Sequence, residues 1–142
     1  MTEELSAQEI YELGRKVEPF QIASDTRMGH IHLSVRDSRA ASVFYQKVLE
    51  FTDKFTVPSA SWIASGDYHH HLAVNEWAGK HLAKREAQLP GLAYYVIQVE
   101  KKEDLFAIAE RAKEQEAAVT WLTSSELLFT DSDGIVTRVR KG

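Results

Sequence analysis

The stretch MGHIHLSVRDSRAASVFYQKVLEF, residues 28–51, changes its apolar period part-way along. In its first half, Ile31 and Leu33 alternate with polar residues, which is typical of a strand with one buried face. In its second half, apolar residues recur at three- and four-residue spacing, as Phe44 and Val48 illustrate. That period is typical of an amphipathic helix. The stretch therefore predicts a strand followed by a helix.

The same order of elements returns in the second half of the chain. Three short strand patterns follow the first helix, at residues 51–57, 60–65 and 69–75. A second strand, helix and three strands are then predicted at residues 91–99, 101–117, 117–123, 126–131 and 135–140. This internal duplication predicts an α+β fold in which two βαβββ modules, residues 28–77 and 91–141, form a curved mixed sheet around a cleft.

The predicted domain organisation is simple. Residues 28–142 are expected to form a single domain, which a chain of 142 residues has the length to support. Residues 1–27 are expected to form an N-terminal helix and a connector. Ser6 and Glu9 have the spacing of a capping box, and the helix is predicted over residues 6–17.

Composition excludes several classes of function. The 17 basic and 21 acidic residues give a net charge of -4 without a basic stripe, so nucleic acid is not an expected partner. Cysteine is absent, which rules out disulfides and thiolate chemistry and fits a reducing cytoplasm. No apolar run reaches the length of a membrane span, and we expect no membrane partner and a cytoplasmic location.

Six histidines occur in the chain, and strand alternation predicts where most of them point. If Leu33 faces the helix, His30 and His32 face the opposite way. In the run HHHLAVN, residues 69–75, the same argument turns His70 toward the helix together with Leu72 and Val74. It leaves His69, His71 and Asn75 on the face of the sheet that points away from the helix, which we call the open face. His81, in a polar loop, is expected to be solvated and to have no role.

The repeated unit and its motifs resemble a known superfamily. TRMGHIHLSV, GDYHHHLAVNEW, GLAYYVIQV and DSDGIVTRV are similar to segments of the vicinal oxygen chelate superfamily, which contains glyoxalase I, bleomycin-resistance proteins and extradiol dioxygenases. The first three motifs most resemble the C-terminal half of two-domain catechol 2,3-dioxygenase-like proteins. The resemblance covers about residues 26–140 and implies the two-module fold described above.

The resemblance also implies a metal site whose ligands come from the first and last strands of each module. Carried over to this chain, the first ligand is His30 and the second is His71, or His69 after a one-residue shift. The third and fourth positions hold Tyr94 and Arg138, where the family would supply a histidine and a glutamate. A guanidinium stays protonated and only donates hydrogen bonds, so the usual ligand set is broken here.

The remaining roles follow from the open face and the resemblance. His69 or Tyr94 is the expected catalytic acid or base, and His30 and His71 are the expected metal ligands. The residues expected to contact substrate are His32, Asn75, Trp77 and Arg138. A divalent ion, Fe, Mn, Ni or Zn, is the implied cofactor, and the loss of the third and fourth family ligands leaves open that the protein uses none.

Three hypotheses about function remain open at this point. The first is a metal-dependent dioxygenase or lyase with a degenerate metal site, acting on a small ligand with vicinal oxygens. The second is a small-molecule binding protein without chemistry, as bleomycin-resistance members of the family are. The third is a half-subunit that forms a homodimer or pairs with a homologous half-protein, because the chain resembles one half of a longer enzyme.

Overall fold

The computed structural model describes residues 6–14, 19, 21–79, 82–84, 86 and 88–142. Two features of the sequence prediction, residues 15–17 of the first helix and His81, lie outside the described residues. Within the described residues the elements are α1 (Ala7–Leu13), β1 (Ile31–Ser34), α2 (Ser38–Leu49), β2 (Thr52–Val57), β3 (Ala60–Ala64), β4 (Leu72–Asn75), β5 (Tyr95–Val99), α3 (Lys102–Glu114), β6 (Ala118–Thr123), β7 (Glu126–Thr130) and β8 (Val136–Lys141). No described helix combines the length and the apolarity that crossing a bilayer requires.

The strands form two four-stranded mixed sheets with the same topology. Their orders are β1-β4-β3-β2 and β5-β8-β7-β6, and in each sheet the first strand of the module pairs in parallel with the last. The other neighbours are antiparallel. The α+β class, the N-terminal helix and the two βαβββ modules are therefore confirmed. Within the described part of the chain, no strand of one sheet contacts a strand of the other.

Local sequence determines where the helices begin. Asp37 is extended and its side chain accepts a hydrogen bond from the Ala40 N–H at 2.8 Å, which satisfies one of the free donors at the start of α2. Ser6 does the same for α1 through the Glu9 N–H at 3.3 Å. No residue of α1 is buried, so this helix is not part of the core.

Each sheet buries one face against its own helix. Leu33, Ile63 and Val74 of the first sheet and Phe129 and Val139 of the second belong to one continuous apolar core that includes residues of α2 and α3. Because side chains alternate along a strand, burying these residues turns their neighbours to the other face of each sheet. The open faces carry the histidines of the first module and Arg138 of the second.

A buried polar contact joins the two modules on the helix side. The Tyr45 hydroxyl, on α2, donates to an Asp131 carboxylate oxygen at 2.7 Å, and both residues are buried. Asp131 also accepts from the N–H groups of Asp133 and Ile135, so it orders the turn between β7 and β8. Burial raises the pKa of Asp131. The hydrogen bonds, that of Tyr45 among them, oppose this rise by stabilising the carboxylate.

Replacing Tyr45 with phenylalanine tests this contact. We expect Tyr45→Phe to lower the free energy of unfolding by about 1–3 kcal/mol, because a buried carboxylate loses a donor that nothing replaces. Urea denaturation followed by far-ultraviolet circular dichroism measures the change. The matched control is Tyr11→Phe, whose side chain is exposed and which is expected to have no effect. Equal stability of both variants would contradict a role for this contact.

Candidate metal and ligand site

Three imidazoles come together on the open side of the first sheet. One ring nitrogen each of His30, His32 and His70 lies within 4.8 Å of the others. The rings of His30 and His70 are 4.2 Å apart between centroids, and the Nε2 atoms of His32 and His70 are 3.3 Å apart. Among the described residues, no carboxylate joins this group. The arrangement offers nitrogen ligands of the kind that divalent transition metals bind.

Backbone pairing holds the two histidine segments side by side. The Ile31 N–H donates to the His71 carbonyl at 3.1 Å, and the His71 N–H donates to the Ile63 carbonyl at 3.0 Å. His71 is thereby held between β1 and β3, immediately before β4 begins at Leu72. The parallel register then pairs His32 with Ala73, whose short side chain leaves room on the open face.

The expectation that His70 faces the helix is wrong. Its ring contacts those of His30 and His32, at centroid distances of 4.2 and 5.3 Å. The alternation argument assumed that the strand extends back to His69, but β4 contains only Leu72–Asn75. Because the three residues before the strand are irregular, the two-residue period does not determine where the His70 ring points.

The local environment favours the neutral form of His70 and His32. Partial burial, followed by the neighbouring His30, lowers the pKa of His70 to about 4. Burial and His30 also lower the pKa of His32. Both effects act in the same direction, since a desolvated ring and a neighbouring imidazolium each disfavour a positive charge. Neutral imidazole is the form that binds a metal.

His69 and His71 lie beside the three-histidine cluster. The His69 ring contacts His30 at 5.4 Å and His70 at 4.5 Å, and it is exposed. The His71 ring instead lies against Tyr68 and Phe51, and its Nδ1 accepts from the Ser65 N–H at 3.3 Å. The structure thus brings His30 together with His32 and His70, and it places His71 in a different set of contacts.

The second module contributes a separate polar group. Arg138 donates from its Nε to Glu126 and from an Nη to the Tyr94 hydroxyl at 3.3 Å, with the guanidinium 5.3 Å from the centre of the Tyr94 ring. Arg138 lowers the pKa of Glu126. In the described part of the chain, no hydrogen bond or ring contact connects this group to the histidines. Arg138 and Glu126 therefore neutralise each other where the family resemblance implied a metal-binding carboxylate.

The other expected ligand-contacting residues are Asn75 and Trp77. Asn75 is buried, and its side-chain oxygen accepts from the Trp77 N–H at 3.3 Å. Trp77 is exposed, and its ring lies 6.0 Å from that of His32. Asn75 thus shapes the turn that holds the tryptophan beside the cluster.

Two cavities border the first module. The smaller, of about 300 Å³, is lined by His32, Arg36, Lys84 and apolar side chains that include Leu82, Leu92 and Ile135. The larger, of about 870 Å³, lies between α2 and the β2–β3 hairpin, and no histidine lines it. Of these two cavities, lined by described residues, the smaller is the one adjacent to the cluster, and its volume suits a small organic ligand.

Comparison with known proteins identifies the family. Residues 27–138 match the model of the Glyoxalase/Bleomycin resistance protein/Dioxygenase superfamily. The chain belongs to this superfamily. It is 37% identical over 94 residues to the catechol-2,3-dioxygenase of Bacillus subtilis (strain 168), a match that covers 65% of this chain and 33% of that protein. The chain thus spans about a third of the length of this relative.

Solved structures of the superfamily share the fold. A glyoxalase/bleomycin resistance protein/dioxygenase domain from Frankia sp. EAN1pec has a TM-score of 0.67 and 22% identity, with 84% of this chain and 99% of that chain covered. The lactoylglutathione lyase of Agrobacterium tumefaciens has a TM-score of 0.61 and 17% identity, covering 84% and 96%. The fosfomycin resistance protein FosX of Listeria monocytogenes, in complex with Mn(II) and sulfate, has a TM-score of 0.60 and 15% identity, covering 86% and 92%.

Sequence reasoning missed three features of the site. Membership of His70 in the cluster depends on a loop conformation, and the pairing of Glu126 with Arg138 depends on the register between β7 and β8. Trp62 and Phe55 also lie on the open face, where Trp62 contacts Trp77. The alternation of Ser61, Trp62 and Ile63 was a usable signal for Trp62, because Ile63 is an obvious core residue.

The His70 titration provides a direct check of the cluster. We expect the His70 ring to titrate near pH 4 and to remain neutral at pH 5.5, where an imidazole with the ordinary pKa of 6.5 is mostly charged. Because folding lowers this pKa, the stability that His70 contributes is present above pH 6.5 and is lost as the pH falls toward 4. Proton NMR of the metal-free protein measures the titration, and His70→Gln assigns the resonance. A midpoint near 6.5 would contradict the clustered geometry.

Proposed function

We propose that this protein is a metal-dependent member of its superfamily that acts on a small molecule with vicinal oxygen atoms. The observation that supports this most strongly is the approach of three imidazole nitrogens to within 4.8 Å of one another. His30, His32 and His70 are the proposed ligands. Similarity to a catechol-2,3-dioxygenase and to a Mn(II)-bound FosX is consistent with this class of chemistry.

The donor set fits a divalent ion that accepts nitrogen ligands. Three neutral imidazoles without a carboxylate suit Zn²⁺, Ni²⁺ or Cu²⁺, whereas non-haem iron usually has two histidines and one carboxylate. When bound, such an ion supplies Lewis acidity toward the oxygens of the substrate. Three protein ligands leave coordination positions open for those oxygens.

The residues around the cluster have distinct proposed roles. His69 contacts His30 and is exposed, so it is placed to exchange a proton between the substrate and solvent. Trp77 lies beside His32 and offers a surface for the body of the ligand. Tyr94 as an alternative acid or base, and Arg138 and Asn75 as substrate contacts, remain predictions from the sequence, as does the cytoplasmic location.

A second candidate function is binding without chemistry. It is favoured by Tyr94 and Arg138, which stand where the family would supply a histidine and a glutamate, and by the pairing of Arg138 with Glu126. A binding protein of this kind needs the open face and the cavity beside His32, but not the ion. For such a binding protein, a ligand is expected to raise the melting temperature by the same amount before and after metal is removed by chelation.

Metal titration of matched histidine variants tests the proposal. We expect one equivalent of Zn²⁺ or Ni²⁺ to bind by calorimetry, and His70→Ala to weaken binding at least about tenfold, or ~1.4 kcal/mol, because one of three ligands is lost. His71→Ala is the control: it removes a neighbouring imidazole that the sequence assigned as a ligand but that lies among Tyr68 and Phe51. If His71→Ala loses more metal affinity than His70→Ala, the result would contradict this ligand set and would support the pair predicted from the sequence, His30 and His71.

Turnover assays then separate the two candidate functions. The protein is reconstituted with Fe, Mn, Ni or Zn and assayed with catechol and with the hemithioacetal of methylglyoxal. Turnover that is lost in His70→Ala supports the metal-dependent enzyme. Absence of stoichiometric metal and of turnover would reject it in favour of the binding protein.

We further propose that the chain forms a homodimer or pairs with a homologous half-protein. The chain corresponds to a third of the length of its dioxygenase relative, α1 has no buried residue, and the histidines and Arg138 lie on separate sheets. Pairing would let an open face of one chain lie opposite an open face of another. Light scattering is expected to give twice the mass of 16.1 kDa, and a monomer that recovers no partner would contradict pairing.

A further inference from the structure

A row of aromatic rings crosses the open face of the first sheet, starting at the histidine cluster. Centroid distances are 6.0 Å from His32 to Trp77, 6.4 Å from Trp77 to Trp62 and 5.4 Å from Trp62 to Phe55. We call these four residues the aromatic row. His32 belongs both to the row and to the proposed metal site, so the two features are continuous.

Strand register produces the row. His32 on β1 pairs with Ala73 on β4, Ala73 pairs with Trp62 on β3, and Trp62 pairs with Phe55 on β2. All four strands therefore contribute one residue to a single line across the sheet. Trp77, which follows β4, contacts the rings of His32 and Trp62, the two line residues that pair with Ala73. With neighbouring strands about 4.8 Å apart, the line spans roughly 14 Å, which is much longer than one six-membered ring.

The fold does not need these rings for its core. Ile63 and Ser61, the neighbours of Trp62, face α2, where Ser61 bonds to Ser42 at 2.7 Å and Ile63 is fully buried. Trp77 and Phe55 retain 63% and 60% of their accessible surface. Contiguous exposed aromatic surface is uncommon on proteins and marks a site where something apolar binds.

We propose that Phe55, Trp62 and Trp77 form an aryl-binding subsite that selects ligands with two or more fused or linked aromatic rings. The ligand's oxygen-bearing ring would lie at His32, and its further rings would lie along the row. This inference rests on the proposed function for the position of the oxygens, but the aryl contact itself requires no metal. Aromatic ligands are favoured because ring–ring contacts contribute beyond the burial of apolar area.

Two probes that differ by one ring test the subsite. Binding of catechol and of 2,3-dihydroxynaphthalene to the chelated, metal-free protein is measured by calorimetry and by tryptophan fluorescence. Both probes carry the same vicinal hydroxyls, so the difference in affinity reports the second ring. We expect the two-ring probe to bind about tenfold more tightly.

Substitutions along the row locate the effect. Trp62→Ala is expected to weaken the two-ring probe about tenfold while leaving catechol unchanged. Trp62→Leu keeps apolar bulk at this position, so it is expected to fold even if Trp62→Ala does not, and to weaken the two-ring probe in the same direction. Phe55 lies at the far end of the row, beyond the reach of a two-ring probe placed at His32, so Phe55→Ala is expected to leave both probes unchanged. Trp121→Phe is the matched control, because Trp121 packs on Phe106 of α3 in the other module.

The outcomes separate this inference from the proposed function. Equal affinity for both probes, or row variants that change only the oligomeric state, would overturn the subsite while leaving metal binding untouched. Row variants that change only the oligomeric state would instead indicate that the aromatic row is a contact between chains. If the wild-type protein binds no metal but still binds the two-ring probe more tightly than catechol, the proposed function is rejected and the subsite is supported.

Discussion

The parallel pairing of β1 with β4 is the interaction on which the site depends. It places the first strand of the module directly beside the last, so that residues 30 and 71, 41 positions apart in sequence, become neighbours across a hydrogen-bonded ladder. Leu33 and Val74 then bury against α2, and the pleat leaves His32 and Ala73 on the opposite face. Without this pairing the histidines of the two segments would not be held next to each other, and His32 would not lie in line with Trp62 and Phe55.

The contacts between the two modules lie away from the open faces of the sheets. The modules meet through α2 and α3, through the buried bond of Tyr45 to Asp131 and through the ion pair of Arg36 with Asp133. All of these lie on the helix side or at the turn between β7 and β8. The apolar core therefore lies on the helix side of the sheets, while the histidines, the aromatic row and Arg138 lie on the other side.

Alternation and duplication were sufficient to predict much of this arrangement. They predicted the two βαβββ modules and the turning of His30 and His32 away from α2, because both depend on local period alone. They failed at His70, because alternation holds only inside a strand and β4 begins two residues later. Alternation with Ile63 was a usable signal for the face of Trp62, but the pairing of Trp62 with Phe55 could not be predicted, since it requires a register that contains an irregularity between Asp53 and Phe55. Pairing of Arg138 with Glu126 likewise needs the relative position of two strands, which no single segment encodes.

The charges of the two open faces differ in a way that bears on the ligand. In the first module, the lowered pKa values of His32 and His70 favour the neutral form of these two imidazoles, so protons compete less for their nitrogens. In the second module, Arg138 donates a hydrogen bond to the Glu126 carboxylate, so the charges of these two side chains compensate each other. A divalent ion bound by three neutral ligands would retain its full charge. A ligand whose vicinal oxygens ionise on binding would supply negative charge to such an ion and would therefore be favoured over one that stays neutral.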